Sequence, residues 1–314
     1  MTNINLSVNI GSLQLQNPIM PASGTFAEQM CNVIDINRLG AIVTKTITQD
    51  LREGNPPPRI AEFADAALFS IGIPSKGLDH YINETVPFYK DYTPPLIASI
   101  SADSVEEFGE LAALISVPGV SAIEANISCP NLKKDGQAFG VEAQTTHDVI
   151  KAMVNATSLP IWAKLTPNAT NIVDTALAAE EAGAEALIVA NAILGMSIDP
   201  HTFLPRLANV TGGLTGPALK PILLRMTHQC SKAATIPIIG CGGISNANDV
   251  IEYLLAGASA VQIGTANFIS PHSMINALNK LEEFCKERSL TEVSKLTGAM
   301  LTHKPLQFNN VNTF

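Results

Sequence analysis

Short apolar runs rich in β-branched residues alternate with amphipathic stretches along almost the whole chain. The apolar runs fall at residues 18–21, 41–46, 95–100, 121–127, 161–165, 186–190, 237–240 and 260–264. They lack the apolar/polar alternation of half-exposed strands, as expected of parallel strands covered on both faces. Between them, residues 105–115, 145–157, 172–182, 218–233 and 248–256 carry helical periodicity, and Gly183 and Gly257 stand where a left-handed helix C-cap is needed. Eight strand-then-helix units predict an α/β fold, a (β/α)8 TIM barrel over residues 1–314, with chemistry on the loops after the strands' carboxyl ends. A doubly wound open sheet is the alternative.

Two segments interrupt the repeat. Residues 49–92 and 191–217 are long for single connections and rich in Gly and Pro, so they are read as an elaborated active-site loop region.

Composition narrows the function classes. Only 15% of the 314 residues are charged, against about 25% in average proteins, which leaves ample apolar material for a large core. A net charge of −9 opposes nucleic-acid binding, which requires clustered cations against phosphates. Glu185 and Asn191 interrupt the richest apolar stretch, so no run reaches the roughly 18 residues that cross a membrane. The first residues carry no secretion signal, and a cytoplasmic location is expected. The cysteines at positions 31, 129, 230, 241 and 285 are scattered without a C-x-x-C pair. They are expected to be reduced thiols that hold neither a metal nor an iron–sulfur centre.

The strand ends carry the candidate chemistry. Cys129 follows the fourth run in Asn126-Ile127-Ser128-Cys129-Pro130-Asn131. A lone cysteine is usually a small buried hydrophobe, but Asn126 and Asn131 offer it donors and acceptors for a flat polar ligand. A thiol so placed can act as general base or nucleophile if its pKa is lowered. Lys45 and Lys164 each end an apolar run, where an ammonium needs an anionic partner. A structural carboxylate would serve either one; two lysines at one barrel mouth suit a bound anion or an electron-rich ring. Gly242-Gly243 and Gly264-Thr265, after the last two strands, lie where barrels commonly bind phosphate on backbone N–H groups, and Gly216 belongs to a third glycine-rich turn. Neither the Rossmann nor the P-loop fingerprint occurs.

Taken in order, Pro21-Ala22-Ser23-Gly24, the GNPPPR run at 54–59, the NISCPN run at 126–131, GQAFG at 136–140, KLTPN at 164–168, TGGLTGPALKP at 211–221 and the final glycine turns resemble the class 1 dihydroorotate dehydrogenases. The likeness is closest to the branch whose catalytic subunit pairs with an iron–sulfur flavoprotein. It implies an FMN-binding barrel in which Cys129 takes the C5 proton of a dihydropyrimidine while C6 gives hydride to the flavin. It further implies flavin contacts at Ala22, Ser23, Lys45, Thr46, Ser99, Asn126, Lys164 and Ala190, and a ribityl phosphate near Gly216, Gly242, Gly243, Gly264 and Thr265. Substrate contacts would come from Lys45, Asn126, Asn131, Asn191, Ala192 and the loop Phe69-Ser70-Ile71-Gly72-Ile73. A homodimeric core is the family expectation. With no cysteine cluster of its own, the chain would reach NAD only through an iron–sulfur/FAD electron-transfer subunit.

Three positions depart from the family pattern. The substrate loop usually begins and ends in Asn, where this chain has Phe69 and Ser75, and Ala192 stands where the family has Thr or Ser. Three readings follow: dihydroorotate oxidation with local compensation, a paralogue for another dihydropyrimidine such as dihydrouracil, or a non-catalytic flavin-binding subunit.

Overall fold

The computed structural model describes residues 4–128 and 139–302. Eight strands form one parallel sheet: β1 (Ile19–Pro21), β2 (Ile42–Val43), β3 (Leu96–Ile100), β4 (Val120–Asn126), β5 (Ile161–Lys164), β6 (Ala186–Val189), β7 (Ile238–Cys241) and β8 (Ala260–Ile263). Their spatial order is their sequence order, with β8 pairing back onto β1. The barrel closes between β1 and β2, where the Gly40 N–H donates to the Ile19 carbonyl at 2.8 Å. A Cβ at Gly40 would overlap the Asn17 carbonyl, so this seam requires glycine.

The sequence places all eight strands, seven of them to within one residue at each end. The run at 41–46 keeps only Ile42–Val43 in the ladder, and the chain rejoins β3 through a single bridge from Ile47 to Ile100. Helices Val105–Ile115, Ala143–Ala156, Ile172–Ala182, Lys220–Ala233, Ala247–Ala256 and Ser273–Glu287 supply the outer layer. Their ends follow local rules. Ser104 accepts the Glu107 N–H at the start of the first, and Gly183 and Gly257 terminate two others at φ 104° and 116°. Apart from Ser121 the strand residues are all buried, as a parallel sheet covered on both faces demands.

The two long excursions do not stay separate. Residues from the first form strands Ile60–Glu62 and Ala67–Phe69, and residues from the second form Ile193–Met196 and Thr211–Thr215. Together they make one four-stranded antiparallel sheet, with Phe69 opposite Gly213 and Ile193 opposite Leu214. Among the described residues, no helix is long and apolar enough to cross a membrane.

Candidate active site

The carboxyl ends of the barrel strands and the added sheet enclose a cavity of about 640 Å³, within the usual size of small-molecule sites. Ala22 and Ser23 reach it from β1, Lys45 and Thr46 from the segment after β2, Asn126 from β4 and Lys164 from β5. Ala190, Asn191 and Ala192 follow β6, Gly242 and Gly243 follow β7, and Gly264 and Thr265 follow β8. The added sheet and its loops bring Gly216 and the run Phe69, Ser70, Ile71, Gly72 and Ile73 to the same wall. Cys129 and Asn131 lie outside the described residues. Their neighbour Ser128 lines the cavity.

Ser99 is placed differently from the expectation. It is fully buried beneath the cavity and is not among the residues lining it. Its hydroxyl donates to Glu124 Oε1 at 2.8 Å, which leaves Thr46 Oγ1, 2.8 Å away, as donor to Ser99. Ser99 therefore supports Thr46 from below.

That contact belongs to a longer chain. Asn191 Nδ2 donates to Ser128 Oγ at 2.5 Å, Ser128 Oγ to Asn126 Oδ1 at 2.8 Å, and Asn126 Nδ2 to Thr46 Oγ1 at 3.1 Å. From the other side Lys164 Nζ donates to Gln262 Oε1 at 2.9 Å and to Ser23 Oγ at 3.3 Å, and Gln262 Nε2 donates to Glu124 Oε2 at 2.7 Å. Lys164 Nζ lies 3.7 Å from Glu124 Oε1. Apart from the Lys164 bond to Ser23, both branches run toward the Glu124 carboxylate, which is 0% exposed and able to accept at both oxygens. A buried charge without such company would be prohibitively costly. Here the carboxylate fixes the rotamers of the polar side chains on the cavity floor.

At the glycine-rich end the backbone itself is the surface. Gly216, Gly242 and Gly243 have φ of 115°, 122° and 69°, in the left-handed region where L side chains are disfavoured. A Cβ at Gly243 would come within 2.6 Å of the Lys220 backbone nitrogen. The turn after β7 thus lies directly against the start of helix Lys220–Ala233. Two helices of ten or more residues, Lys220–Ala233 and Ala247–Ala256, begin beside these turns. At Ala247–Ala256 the first N–H groups are held by Asn246 and Asp249, so it is the backbone of the glycine turns that suits an anion such as a phosphate.

The opposite wall is apolar. Phe69 and Phe268 approach with ring centroids 5.9 Å apart, and Ile71, Leu194 and Ile269 also face the cavity. Ser75 does not reach it, because its hydroxyl accepts the Thr48 and Gly77 N–H groups at 3.0 and 3.1 Å. Ala192 packs its methyl where a Cβ on Gly213 would sit, and its carbonyl accepts from Asn168 Nδ2 at 3.1 Å. The departures from the family pattern thus form one apolar wall and one loop-internal cap.

The four described cysteines are poor nucleophiles. Burial pushes the Cys230 thiol up to about 12 and raises Cys241 and Cys285, and burial also raises Cys31, beside Tyr92. A thiol so raised carries little thiolate near neutrality. Among the described residues no group of His, Cys, Asp and Glu is arranged to hold a metal.

Sequence reasoning did not single out Glu124, Gln262, Ser128, Asn168 or Phe268. Glu124 did carry a signal, since a carboxylate inside the apolar run Ala122-Ile123-Glu124-Ala125 raises the same question of a partner that singled out the lysines.

Comparison with known proteins agrees with this arrangement. The profile of the family described as dihydroorotate dehydrogenase matches residues 5–285. The chain is 46% identical over 299 residues to the dihydroorotate dehydrogenase B (NAD(+)) catalytic subunit of Desulforamulus reducens, covering 94% of this chain and 98% of that protein. The corresponding subunits of Trichlorobacter lovleyi and Bacteroides thetaiotaomicron are 45% and 44% identical, each over 94% of this chain and 98% of the relative. With a barrel whose strand ends carry the lysines, amides and glycine turns in the expected order, and with relatives matched nearly end to end, the chain belongs to the dihydroorotate dehydrogenase family.

Proposed function

We propose that this chain is an FMN-dependent catalytic subunit that oxidises dihydroorotate to orotate in pyrimidine biosynthesis. The observation that carries the reading is that one cavity joins the glycine turns, the buried Lys164 and the Asn126–Ser128–Asn191 cluster. FMN suits these residues: its phosphate matches the backbone cradle of Gly216, Gly242, Gly243 and Gly264, and its ring matches the floor of Ser23, Thr46, Asn126 and Lys164. Bound FMN supplies a two-electron hydride acceptor.

The chain's own residues do the rest. Lys164 presents a cation already oriented by Gln262 and Ser23, so it stabilises negative charge without reorganising. Asn126 and Asn191 are locked by the hydrogen bonds leading to Glu124 and hold a planar ring by its amide edges. Cys129, directly after Ser128, takes the proton from C5 as thiolate while C6 gives up hydride. A cysteine suits this role because its pKa, about 8.5 when free, needs only modest lowering.

A separate subunit carrying an iron–sulfur centre and FAD would take the electrons onward, because this sequence has no dinucleotide fingerprint. Support comes from the relatives' name, which specifies NAD(+) as acceptor. A cytoplasmic location completes the reading. The test is orotate formation from dihydroorotate by the purified chain with an artificial acceptor, with dihydrouracil in parallel. Turnover of dihydroorotate supports the proposal; turnover of dihydrouracil alone overturns it.

A further inference from the structure

The three glycine turns come from separate parts of the chain and contain no Lys or Arg of their own. A phosphate there would be held by backbone N–H groups, and its binding would depend on how those groups are aimed. Two side-chain clips tie the turns together. Thr265 Oγ1 donates to Thr215 Oγ1 at 2.9 Å, joining the turn after β8 to the one at Gly216. Lys220 Nζ donates to Asp249 Oδ1 at 2.6 Å and to Glu252 Oε1 at 2.9 Å. Asp249 Oδ2 meanwhile accepts the Ser245 and Asn246 N–H groups at 2.8 and 3.1 Å. One carboxylate therefore holds both the turn after β7 and the first residue of the helix that follows Gly216. Tyr253 reinforces it by donating to the Gly242 carbonyl at 2.7 Å.

Lys220 does not line the cavity. Desolvation alone would lower its pKa, but Asp249 and Glu252 outweigh it and hold the ammonium above its ordinary 10.5, so the clip stays charged at working pH. Asp249 is only 6% exposed, which keeps its bonds from being exchanged with water.

We infer that Lys220 and Asp249 are positioning residues for the phosphate end of the cofactor site: their ion pair sets the spacing between the Gly216 and Gly242-Gly243 turns without touching the ligand. The inference rests on the proposed FMN reading. It predicts an effect specific to the phosphate, which FMN carries and riboflavin lacks.

The experiment is fluorescence titration of the apoprotein with FMN and with riboflavin, for the parent and for Lys220→Gln, Lys220→Arg and Asp249→Asn. In the parent FMN should bind more tightly than riboflavin. Lys220→Gln and Asp249→Asn should reduce that preference about tenfold, the scale of one charge-assisted hydrogen bond, while the riboflavin Kd stays constant and reports an intact fold. Lys220→Arg should restore much of the preference. Unchanged preference in Lys220→Gln, or a parallel loss of both ligands, overturns the positioning role alone. A parent with no preference for FMN overturns the phosphate assignment and this inference with it.

Discussion

Glu124 and Lys164, on adjacent strands of the barrel, face each other 3.7 Å apart beneath the cavity, with Gln262 bonded to both. Both are nearly inaccessible to solvent, at 0% and 4% exposure. Removing one member of such a pair leaves an uncompensated buried charge, which costs about 3–5 kcal/mol. Glu124→Ala and Lys164→Ala should each lower stability to denaturant by about that amount. The double variant should cost clearly less than the sum, and additive losses would show that the pair is not coupled.

Glu124 also terminates the donor chain that begins at Asn191. Ser99→Ala breaks the chain between Thr46 and Glu124 without altering any cavity-lining residue. It should leave folding largely intact and weaken substrate binding more than it slows turnover, because Thr46, which accepts from the Asn126 amide, loses its own anchor. Steady-state kinetics would show this as a severalfold rise in KM. A loss confined to kcat would contradict it.

On the proposed reading, the apolar wall bears on substrate preference. Phe69 occupies a family position usually held by Asn, and its ring lies against Phe268. Phe69→Asn should lower KM for dihydroorotate about tenfold, since one added hydrogen bond to an anionic group is worth about 1.5–3 kcal/mol before losses in packing. Dihydrouracil, which lacks the carboxylate, should gain nothing. Equal gains for both substrates would place Phe69 away from the carboxylate.

Alkaline conditions test the buried acids. Burial raises Tyr81, Tyr89 and Tyr253 well above the usual phenol range, and takes Cys230 from 9.0 to about 12. Each group holds its proton more tightly folded than unfolded. Their contribution is therefore complete below pH 9 and declines as pH rises from there toward 12. The urea midpoint should fall between pH 8 and pH 10.5. A constant midpoint would show that these groups are solvated in the native state.

Much of this was legible in the sequence, for physical reasons. Fully buried parallel strands leave unbroken apolar runs, and Lys45 and Lys164 stood out because a cation at the end of such a run demands an explanation. The sheet joining Ala67–Phe69 to Thr211–Thr215 was not legible. Its strands are only three to five residues long and pair across more than a hundred residues of sequence. Ser99 was misplaced because a polar residue in an apolar strand shows that a partner exists and does not show whether it is ligand or protein. Lys220 and Asp249 drew no notice, since on helices with polar outer faces they look like ordinary solvated charges.

The proposed reaction couples proton removal by Cys129 to hydride transfer into FMN. It is tested most directly by mixing the FMN-loaded protein anaerobically with dihydroorotate and following loss of flavin absorbance, with Cys129→Ser alongside. The parent should bleach fully and rapidly, and the variant, with its flavin content unchanged, should bleach about 10²–10⁴-fold more slowly, the usual contribution of a general base. A variant that bleaches as fast as the parent would contradict the account.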